Sequence, residues 1–554
     1  MATFNNIDNP QNPAVRCVTS SKYLSCEEGD RVNLGVTIDF ATCTPKDLLK
    51  IVPPPSDHTP NIDIALAPRG TGAFSLDVPD NAIPGGNCRG TNAVDLQMVR
   101  VLATDVASGT DSVVGGGSGN SARGAWSTVG GGINNTTNSN NDTVAGGSGN
   151  ITLADNSTIG GGLSNIAGGT ADTVGGGASN RASGGTSTVG GGTTNSALGV
   201  GSTIGGGVNN TANSNNDTIA GGSGNITLAD NSTIGGGLSN IAGGTADTVG
   251  GGASNRASGG TSTVGGGTTN SALGVGSTIG GGETNTAFGI QSTIGGGESH
   301  TVTSTKSTIA GGQNNTITGV DTNHSSIGGG EANLIVGASD HATIGGGMVN
   351  RCQGASDNAT IGGGTNNTTN SASDTIAGGS GNITLADAST IGGGTSNRVG
   401  AGGSNAVIGG GRSNLAFGDD SCIPGGTGNT CGGAGSLVCG SVANDGANDG
   451  CFVFSDTGGG ITAAGPNTFV VQAGGGLAGS PGAVGLNLSI GATSIPFTSV
   501  IDLGTTGPPS LMGTWSFDPS LTAAAWVPAP PTSIADAVNR LTAAVTILLA
   551  APIP

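Results

Sequence analysis

Histidine and cysteine are among the residue types in this 554-residue chain that are able to act as nucleophile, general base or metal ligand. Nucleophilic catalysis places a serine or cysteine beside a base, within a signature such as Gly-x-Ser-x-Gly. No histidine lies near such a signature; the four histidines are His58, His300, His324 and His341. We therefore predict no catalytic residue and no enzymatic activity.

Eight of the nine cysteines fall in two groups, one before residue 100 and one after residue 420. No pair has the Cys-x-x-Cys spacing of a zinc site, so we predict no bound metal. Within each group a disulfide and buried free thiols are both compatible with the sequence. The candidate disulfide cysteines are Cys17, Cys26, Cys43 and Cys88 in the first group and Cys422, Cys431, Cys439 and Cys451 in the second.

The glycine-rich runs are candidates for phosphate or calcium binding. A phosphate-binding loop needs Gly-x-x-x-x-Gly-Lys-Ser/Thr, which does not occur in the sequence. Calcium-binding nonapeptides need Gly-Gly-x-Gly-x-Asp, whereas residues 146–151 read Gly-Gly-Ser-Gly-Asn-Ile. Asp142, Asp155 and Asp172 hold a cation loosely at most, and we predict no cofactor.

The composition excludes several classes of protein. Glycine and proline, with 112 and 22 residues, make up roughly a quarter of the chain and disfavour long helices. Collagen is excluded because glycine does not occupy every third position in runs such as 157–165. Disorder is disfavoured because 34% of the residues are hydrophobic. The net charge of −19 disfavours nucleic acid as a partner, and no apolar run is long enough for membrane insertion.

The glycines belong to a regular repeat. A Val or Ile followed by a glycine-rich tripeptide recurs with a constant 15-residue period from Val114 to Ile309, and eight further units follow at slightly more variable spacing, up to Val438. We call this Val or Ile the marker and number the other positions of each of the 22 units from it. Thr usually stands at position −1, Asn at +6 and a small or β-branched residue at +8. His300 alone interrupts the Asn series.

A 15-residue unit is typical of one coil of a β-solenoid, in which each coil pairs with the next at about 4.8 Å. The markers then form an inward core ladder, which includes Val129, Val144, Ile159, Val174, Val189 and Ile204. The asparagines form a second ladder that passes amide hydrogen bonds along the axis, including Asn135, Asn150, Asn165, Asn180, Asn195 and Asn210. We therefore predict an all-β fold with about 22 stacked coils.

Two features predict that the shaft is shared between chains. One coil is only about one side chain wide inside, so a single chain buries little apolar area. Near the carboxy terminus, apolar residues follow a heptad pattern typical of a short coiled-coil helix. This predicted trimer seam consists of Ile534, Val538, Leu541, Val545 and Leu548. A helix that packs on its own domain is the alternative.

Whole blocks of coils are duplicated. Residues 138–207 recur as residues 213–282 with one change, at an offset of five units. A shaft of variable length tolerates such duplication, whereas an active site rarely does.

The units resemble the head repeats of trimeric autotransporter adhesins of the YadA type. The resemblance covers residues 109–453, where the marker, the Asn and the small residue keep one phase. The Gly-Gly-Gly tripeptide and the 15-residue period are closer to the variant found in phage and giant-virus fibre-like proteins. The resemblance implies a left-handed parallel β-roll that associates as a homotrimer.

The flanking segments also resemble those of fibre-like proteins, at 62–74 before the repeats and at 451–456 and 465–473 after them. We predict a β-rich cap or attachment domain at 1–108 and the shaft at 109–453. A β-rich neck or tip follows at 454–530, and the trimerising helix and tail occupy 531–554.

His324 and His341 both stand three residues before a marker in adjacent units, so we expect one to lie above the other. A trimer would bring six such imidazoles together as a candidate metal or pH-sensitive site, and solvated loop histidines are the alternative.

Cellular adhesins of this family carry an export signal and a membrane anchor, and neither pattern is found in this sequence. We therefore expect a structural fibre of a virion or phage tail, located at the virion surface or extracellularly. Its expected partners are other virion or tail proteins at one end and a host-surface glycan or receptor.

Three alternatives stay open. A secreted or surface adhesin of bacteria would share the fold. An ice-binding or surface-binding solenoid would use the Thr series from Thr128 to Thr308. A glycan-cleaving fibre would need two carboxylates in the neck, where Asp456, Asp502 and Asp518 are the candidates.

Overall fold

The structure is a computed structural model that describes residues 73–76, 81–83, 85–319, 321–455 and 460–472 and the strands Asn487–Ile490 and Thr493–Pro496. Several predicted features lie outside the described residues: His58, the candidate disulfide cysteines Cys17, Cys26 and Cys43, the candidate carboxylates Asp456, Asp502 and Asp518, and the heptad positions Ile534, Val538, Leu541, Val545 and Leu548.

The first of two long parallel sheets is built from the Thr-marker pairs. Thr and Val or Ile are β-branched and favour extended backbone. Each pair forms a two-residue strand that bonds to the pair in the next coil, as Thr143 does with Thr158 and Val144 with Ile159. The strands of this sheet are Phe74–Ser75, Val94–Asp95 and Val113–Val114, then one strand in each coil from Thr128–Val129 to Thr308–Ile309, then Ser326–Ile327, Thr343–Ile344, Thr360–Ile361, Thr375–Ile376, Thr390–Ile391, Val407–Ile408, Cys422–Ile423, Gly426–Thr427, Leu437–Ser441, Phe452–Ser455 and Phe469–Gln472.

The second parallel sheet is built from positions +7 and +8 on another side of the coil. Its register is likewise one coil per step, so that Ala167 lies opposite Ala182. It has one strand in each coil from Ser121–Ala122 to Thr301–Val302, followed by Thr316–Thr318, Leu334–Val336, Arg351–Cys352, Thr368–Thr369, Ile383–Thr384, Arg398–Val399, Leu415–Ala416, Thr430–Cys431, Ala443–Asn444 and Ile461–Thr462.

A third column of parallel pairing runs along position +4, where single residues form bridges from coil to coil. Ser118 pairs with Ile133, and the column continues to Arg412 and Thr427. Between position 0 and position +4 the glycines turn the chain from the first sheet to this column. Each coil is therefore held to its neighbours on three sides.

The core consists of two facing columns of side chains that run along the axis. The markers and the residues at +8 are buried in almost every coil, because successive residues of a strand point to opposite faces. Ile residues are the largest of these buried side chains, and Ala, with 10 of the 21 opposing positions from Ala122 to Cys431, is the most frequent residue opposite the markers.

These contacts form an all-β parallel β-solenoid of about 25 turns, as the periodicity predicted. It has more turns than the 22 predicted units, because the pairing continues beyond 109–453 into Phe74–Ser75 and Val94–Asp95 at one end and Phe452–Ser455 and Phe469–Gln472 at the other. Farther along the chain, Asn487–Ile490 and Thr493–Pro496 form an antiparallel pair. The described residues contain no helix, and therefore none that could cross a membrane.

Candidate functional site

The predicted core ladder lies inside the solenoid. Its members are fully buried, with no exposed side-chain surface: Val129, Val144, Ile159, Val174, Val189 and Ile204. Burying a side chain of this size stabilises the fold by about 1.5–3 kcal/mol, so the repeated marker supplies much of the apolar stabilisation of each coil.

The ladder asparagines hold the glycine turn in place. Asn135 donates from Nδ2 to the carbonyl oxygens of Gly131 and Gly147, at 2.9 Å each. Its backbone N–H donates to Oδ1 of Asn120, and its own Oδ1 accepts from the N–H of Asn150, at 3.0 Å each. The buried amide is thus fully paired, which buried polar groups require.

The other predicted asparagines repeat this arrangement, each accepting from the backbone of the following coil: Asn150, Asn165, Asn180, Asn195 and Asn210. The residues with a left-handed backbone conformation lie one position before the ladder asparagines, at +5. Asn134 has a φ of 55° and Ser164 also a φ of 55°.

The asparagine series ends one unit earlier than its spacing suggested. The N–H of Ala443, at 2.9 Å, donates to Oδ1 of Asn429, so Ala443 takes the ladder position in the last unit. Asn444 moves one position along and pairs with Thr430 in the second sheet. The coil is one residue shorter than the others, which shifts the register.

A capping residue outside the repeat was missed by the sequence analysis. Gln97 occupies the start of the asparagine ladder, where its Oε1 accepts from the N–H of Asn120 at 2.9 Å and its Nε2 donates to the carbonyl of Asn120 at 2.7 Å. The buried pair of Asp95 with Arg89, at 2.9 Å, lies in the same segment. Neither Gln97 nor the Asp95–Arg89 pair recurs at the spacing of the repeat, so the spacing could not identify them.

The three aspartates considered as cation ligands all accept hydrogen bonds from neighbouring groups of the chain. Asp142 is buried, and its Oδ2 accepts from the N–H of Ser139 at 3.0 Å and from Thr152 Oγ1 at 2.7 Å. Asp172 is buried and accepts from Ser187, while Asp155 accepts from the N–H of Asn140. Among the described residues, no group of three or more His, Cys, Asp or Glu side chains is able to hold a metal ion.

Burial raises the pKa of several of these carboxyls, because removing a charge from water is costly. Desolvation raises the pKa of Asp142 and of Asp217 and raises that of Asp374 to about 6. Hydrogen bonds from the backbone N–H groups of Ser157, Ser232 and Ser389 in the following coils oppose the shift in Asp142, Asp217 and Asp374, respectively. These carboxyls therefore make the stability of the shaft depend on pH.

His324 and His341 lie one above the other, as their position in adjacent units suggested. Their rings stack with centroids 4.9 Å apart and planes 4° apart. Both residues have a left-handed backbone, with φ of 57°. The parallel stacking places ring faces together, whereas a shared metal ion would need ring nitrogens to converge.

The described cysteines are free thiols, so the structure forms none of the disulfides considered within the second group. Cys422 and Cys439 stand at positions −1 and +1, whereas Cys431 and Cys451 are buried. Burial raises the pKa of Cys422 to about 11 and raises that of Cys431 further, which keeps these thiols protonated and poorly nucleophilic. Cys88, from the first group, is an exposed free thiol.

A scan of the chain against protein-family models and a search of curated proteins found no match.

Proposed function

We propose that this chain is the shaft-forming protein of a trimeric fibre, which projects from a virion or phage tail and mediates attachment to a host surface. The observation that carries the proposal is the uninterrupted parallel pairing from Phe74 to Gln472. At about 4.8 Å for each of about 25 turns, it extends over about 120 Å. Length and stiffness are what a fibre needs from its shaft.

The pairing pattern supports stiffness. Every coil bonds to its neighbours in both sheets, and the bridges at +4 and the asparagine ladder add two further columns of contacts. Bending such a rod would break several hydrogen bonds in one coil at once. A repeated surface also presents the same groups many times, so weak contacts with a host glycan add through avidity.

The thin core supports association of several chains. Opposite the buried marker stands Ala in about half of the coils, and these coils bury little more than one large side chain. We propose a left-handed roll and a homotrimer, in which the three shafts bury further apolar surface against each other and the carboxy-terminal heptads set their register.

Analytical ultracentrifugation and negative-stain microscopy of the full chain test the proposal. We expect a sedimenting species of three chains and straight rods at least about 120 Å long. A stable monomer at micromolar concentration would reject the trimeric fibre.

Labelling of purified particles from the source with antibodies against residues 109–453 tests the location. We expect label on the particle surface and reduced attachment to host cells. Label confined to bacterial cell surfaces or culture medium would instead favour the adhesin alternative.

A further inference from the structure

Position +2 is glycine in all 21 units from Gly116 to Gly425, yet the coil itself does not require it. A Cβ built at this position has no atom of the chain closer than 3.8 Å, and at Gly131, Gly191 and Gly281 it has none within 4 Å. In 14 of these units the φ angle lies outside the left-handed region that favours glycine. In those 14 units, neither space nor backbone conformation within one chain explains the glycine.

The neighbouring positions show the contrast. At +3, Gly132 has a φ of +91°, and a Cβ there would meet the carbonyl oxygen of Gly147. The fold of one chain therefore requires glycine at +3. At +1, several units carry another residue, as with Ala145, Pro424 and Cys439. Position +2 alone is invariant although 14 of its 21 units give no internal cause for glycine.

Unpaired backbone groups lie at the same place. In the described part of the shaft from Gly115 to Gly425, the carbonyl at +1 and the N–H at +2 take part in no hydrogen bond, as at Gly130 and Gly131. These groups repeat once per coil, on residues such as Gly130, which is exposed, and Gly131, which is half-buried. An unpaired row of this kind is able to bond to another chain, as the edge of a sheet does.

The positions around this glycine carry almost no charged side chains. Positions −1 to +3 carry no charged side chain from Val113 to Gly426, and position +4 carries none from Ser118 to Thr268. The chain as a whole has a net charge of −19. A second copy with the same charge approaches most favourably along a face without charges.

Exposed apolar side chains border the same region. Ile133, Leu163, Val208 and Leu238 stand at position +4 and are 50 to 54% exposed. Large exposed apolar groups that recur along one line are typical of a contact surface.

We infer that positions −1 to +4 of units 114–264, which we call the glycine corner, pack against the glycine corner of a second copy of this chain. The inference rests on the trimeric fibre proposed above and names its contact surface. Glycine is needed at +2 because the backbones of the copies meet there, as at the axis of a collagen triple helix.

The regular spacing of the glycine corner along the axis indicates which partner binds to it. A partner that contacts +2 in every coil must have the same axial spacing of about 4.8 Å, and a second copy has it. A strip about 10 Å wide along the 11 coils of the corner, about 53 Å, gives roughly 500 Å² per chain, so the corner supplies part of the roughly 800 Å² per partner that a stable interface buries.

Two pairs of leucines provide a matched test, because the block duplication places the same residue types in both copies. Leu163 and Leu238 lie on the glycine corner and are 53 and 54% exposed, whereas Leu153 and Leu228 lie at position +9 and are both 50% exposed. We expect the variant L163D/L238D to lower the association constant of the full chain at least tenfold. The control L153D/L228D should assemble like the wild type, as measured by analytical ultracentrifugation.

A second test uses adjacent glycines. Gly191→Val should reduce association while circular dichroism and thermal unfolding of the chain stay close to those of the wild type. Gly192→Val, at +3, should lower the unfolding temperature itself, because its side chain meets the carbonyl of the next coil.

The outcomes separate the inference from the proposed function. A wild-type chain that is monomeric would reject the trimeric fibre and the corner together. A wild-type trimer that persists in both L163D/L238D and Gly191→Val would reject the glycine corner alone, and so would equal losses of association in L163D/L238D and L153D/L228D.

Discussion

His300 replaces asparagine inside the buried ladder, whose two ends are occupied by Gln97 and Ala443. The ring Nδ1 of His300 accepts from the backbone N–H of Asn315 at 3.0 Å, and the backbone N–H of His300 donates to Oδ1 of Asn285 at 2.9 Å. Its Nε2 is buried without a hydrogen-bond partner in the part of the chain that the structure describes. An imidazole that accepts through Nδ1 carries its proton on Nε2, so this donor is left unsatisfied.

We predict that His300→Asn stabilises the shaft, most of all in acid. Burial lowers the pKa of His300 below its ordinary value of 6.5, so the folded chain holds the neutral imidazole while the unfolded chain takes up a proton. Stability is thus lost as the pH falls below about 6.5 towards the lowered pKa. Asparagine removes this loss and pairs the buried donor, which contributes about 1–3 kcal/mol.

Thermal unfolding of both chains at pH 7.5 and pH 5 measures the effect. The stabilisation by His300→Asn should be larger at pH 5. The exposed residue His341 supplies the control, because His341→Asn removes an imidazole that is not enclosed by the ladder. Equal pH dependence of the wild type and His300→Asn would contradict the prediction.

Asp374 has the opposite dependence on pH. Burial raises its pKa to about 6 from 3.8, so its ionised form destabilises the fold at neutral pH. Its contribution is most favourable below about pH 4 and is lost as the pH rises through about 6. Its Oδ1 accepts from the N–H of Ser389 at 3.1 Å, but Oδ2 has no hydrogen-bond partner among the described residues.

We predict that Asp374→Asn raises stability at pH 7 by up to about 2–3 kcal/mol, because the neutral amide keeps the bond to Ser389 without a buried charge. The gain should vanish near pH 4 in denaturant titrations. Asp172→Asn should instead destabilise, since both oxygens of Asp172 accept from the chain, from Gly169 and from Ser187. A gain at Asp374 that did not change with pH would contradict this account.

At the scale of the coil, periodicity predicted the positions that repeat and missed those that do not. A side chain that is buried once per coil must recur at one spacing, so the markers and ladder asparagines are visible in the sequence. The coils at Val94–Asp95 and Phe452–Ser455 lack the glycine tripeptide and are held by backbone pairing, which any residue provides. Their membership of the solenoid follows only from the structure.

Gln97, at the end of the asparagine ladder, was not predicted because it does not recur. Gln97 satisfies the first asparagine with a longer side chain from a different place in the coil. Such a cap is needed once, where the stack begins, and therefore leaves no period. Likewise, spacing detected the glycines at +2 and +3 together, but only the contacts around each position separate the glycine that the coil requires from the glycine that it does not.

At the scale of the whole molecule, the length of the shaft should be adjustable in steps of one coil. Each coil contacts only its two neighbours, so stability is a sum of coil and interface terms. Residues 138–207 and 213–282 are nearly identical, and removal of residues 138–212 would join Thr137 to Asn213. The junction then reproduces the natural sequence around Asn138, and five coils are lost without a change of phase.

We predict that this deletion folds and gives a rod about 24 Å shorter, with an unfolding temperature close to that of the full chain. Removal of residues 138–205 is the control, because it ends out of phase and joins Thr137 to Gly206 without a marker between them. That junction leaves one coil without its buried apolar residue and should lower the unfolding temperature. Electron microscopy gives the rod lengths and calorimetry the stabilities. If the two deletions behaved alike, the coil would not be the unit on which the stability of the shaft is built.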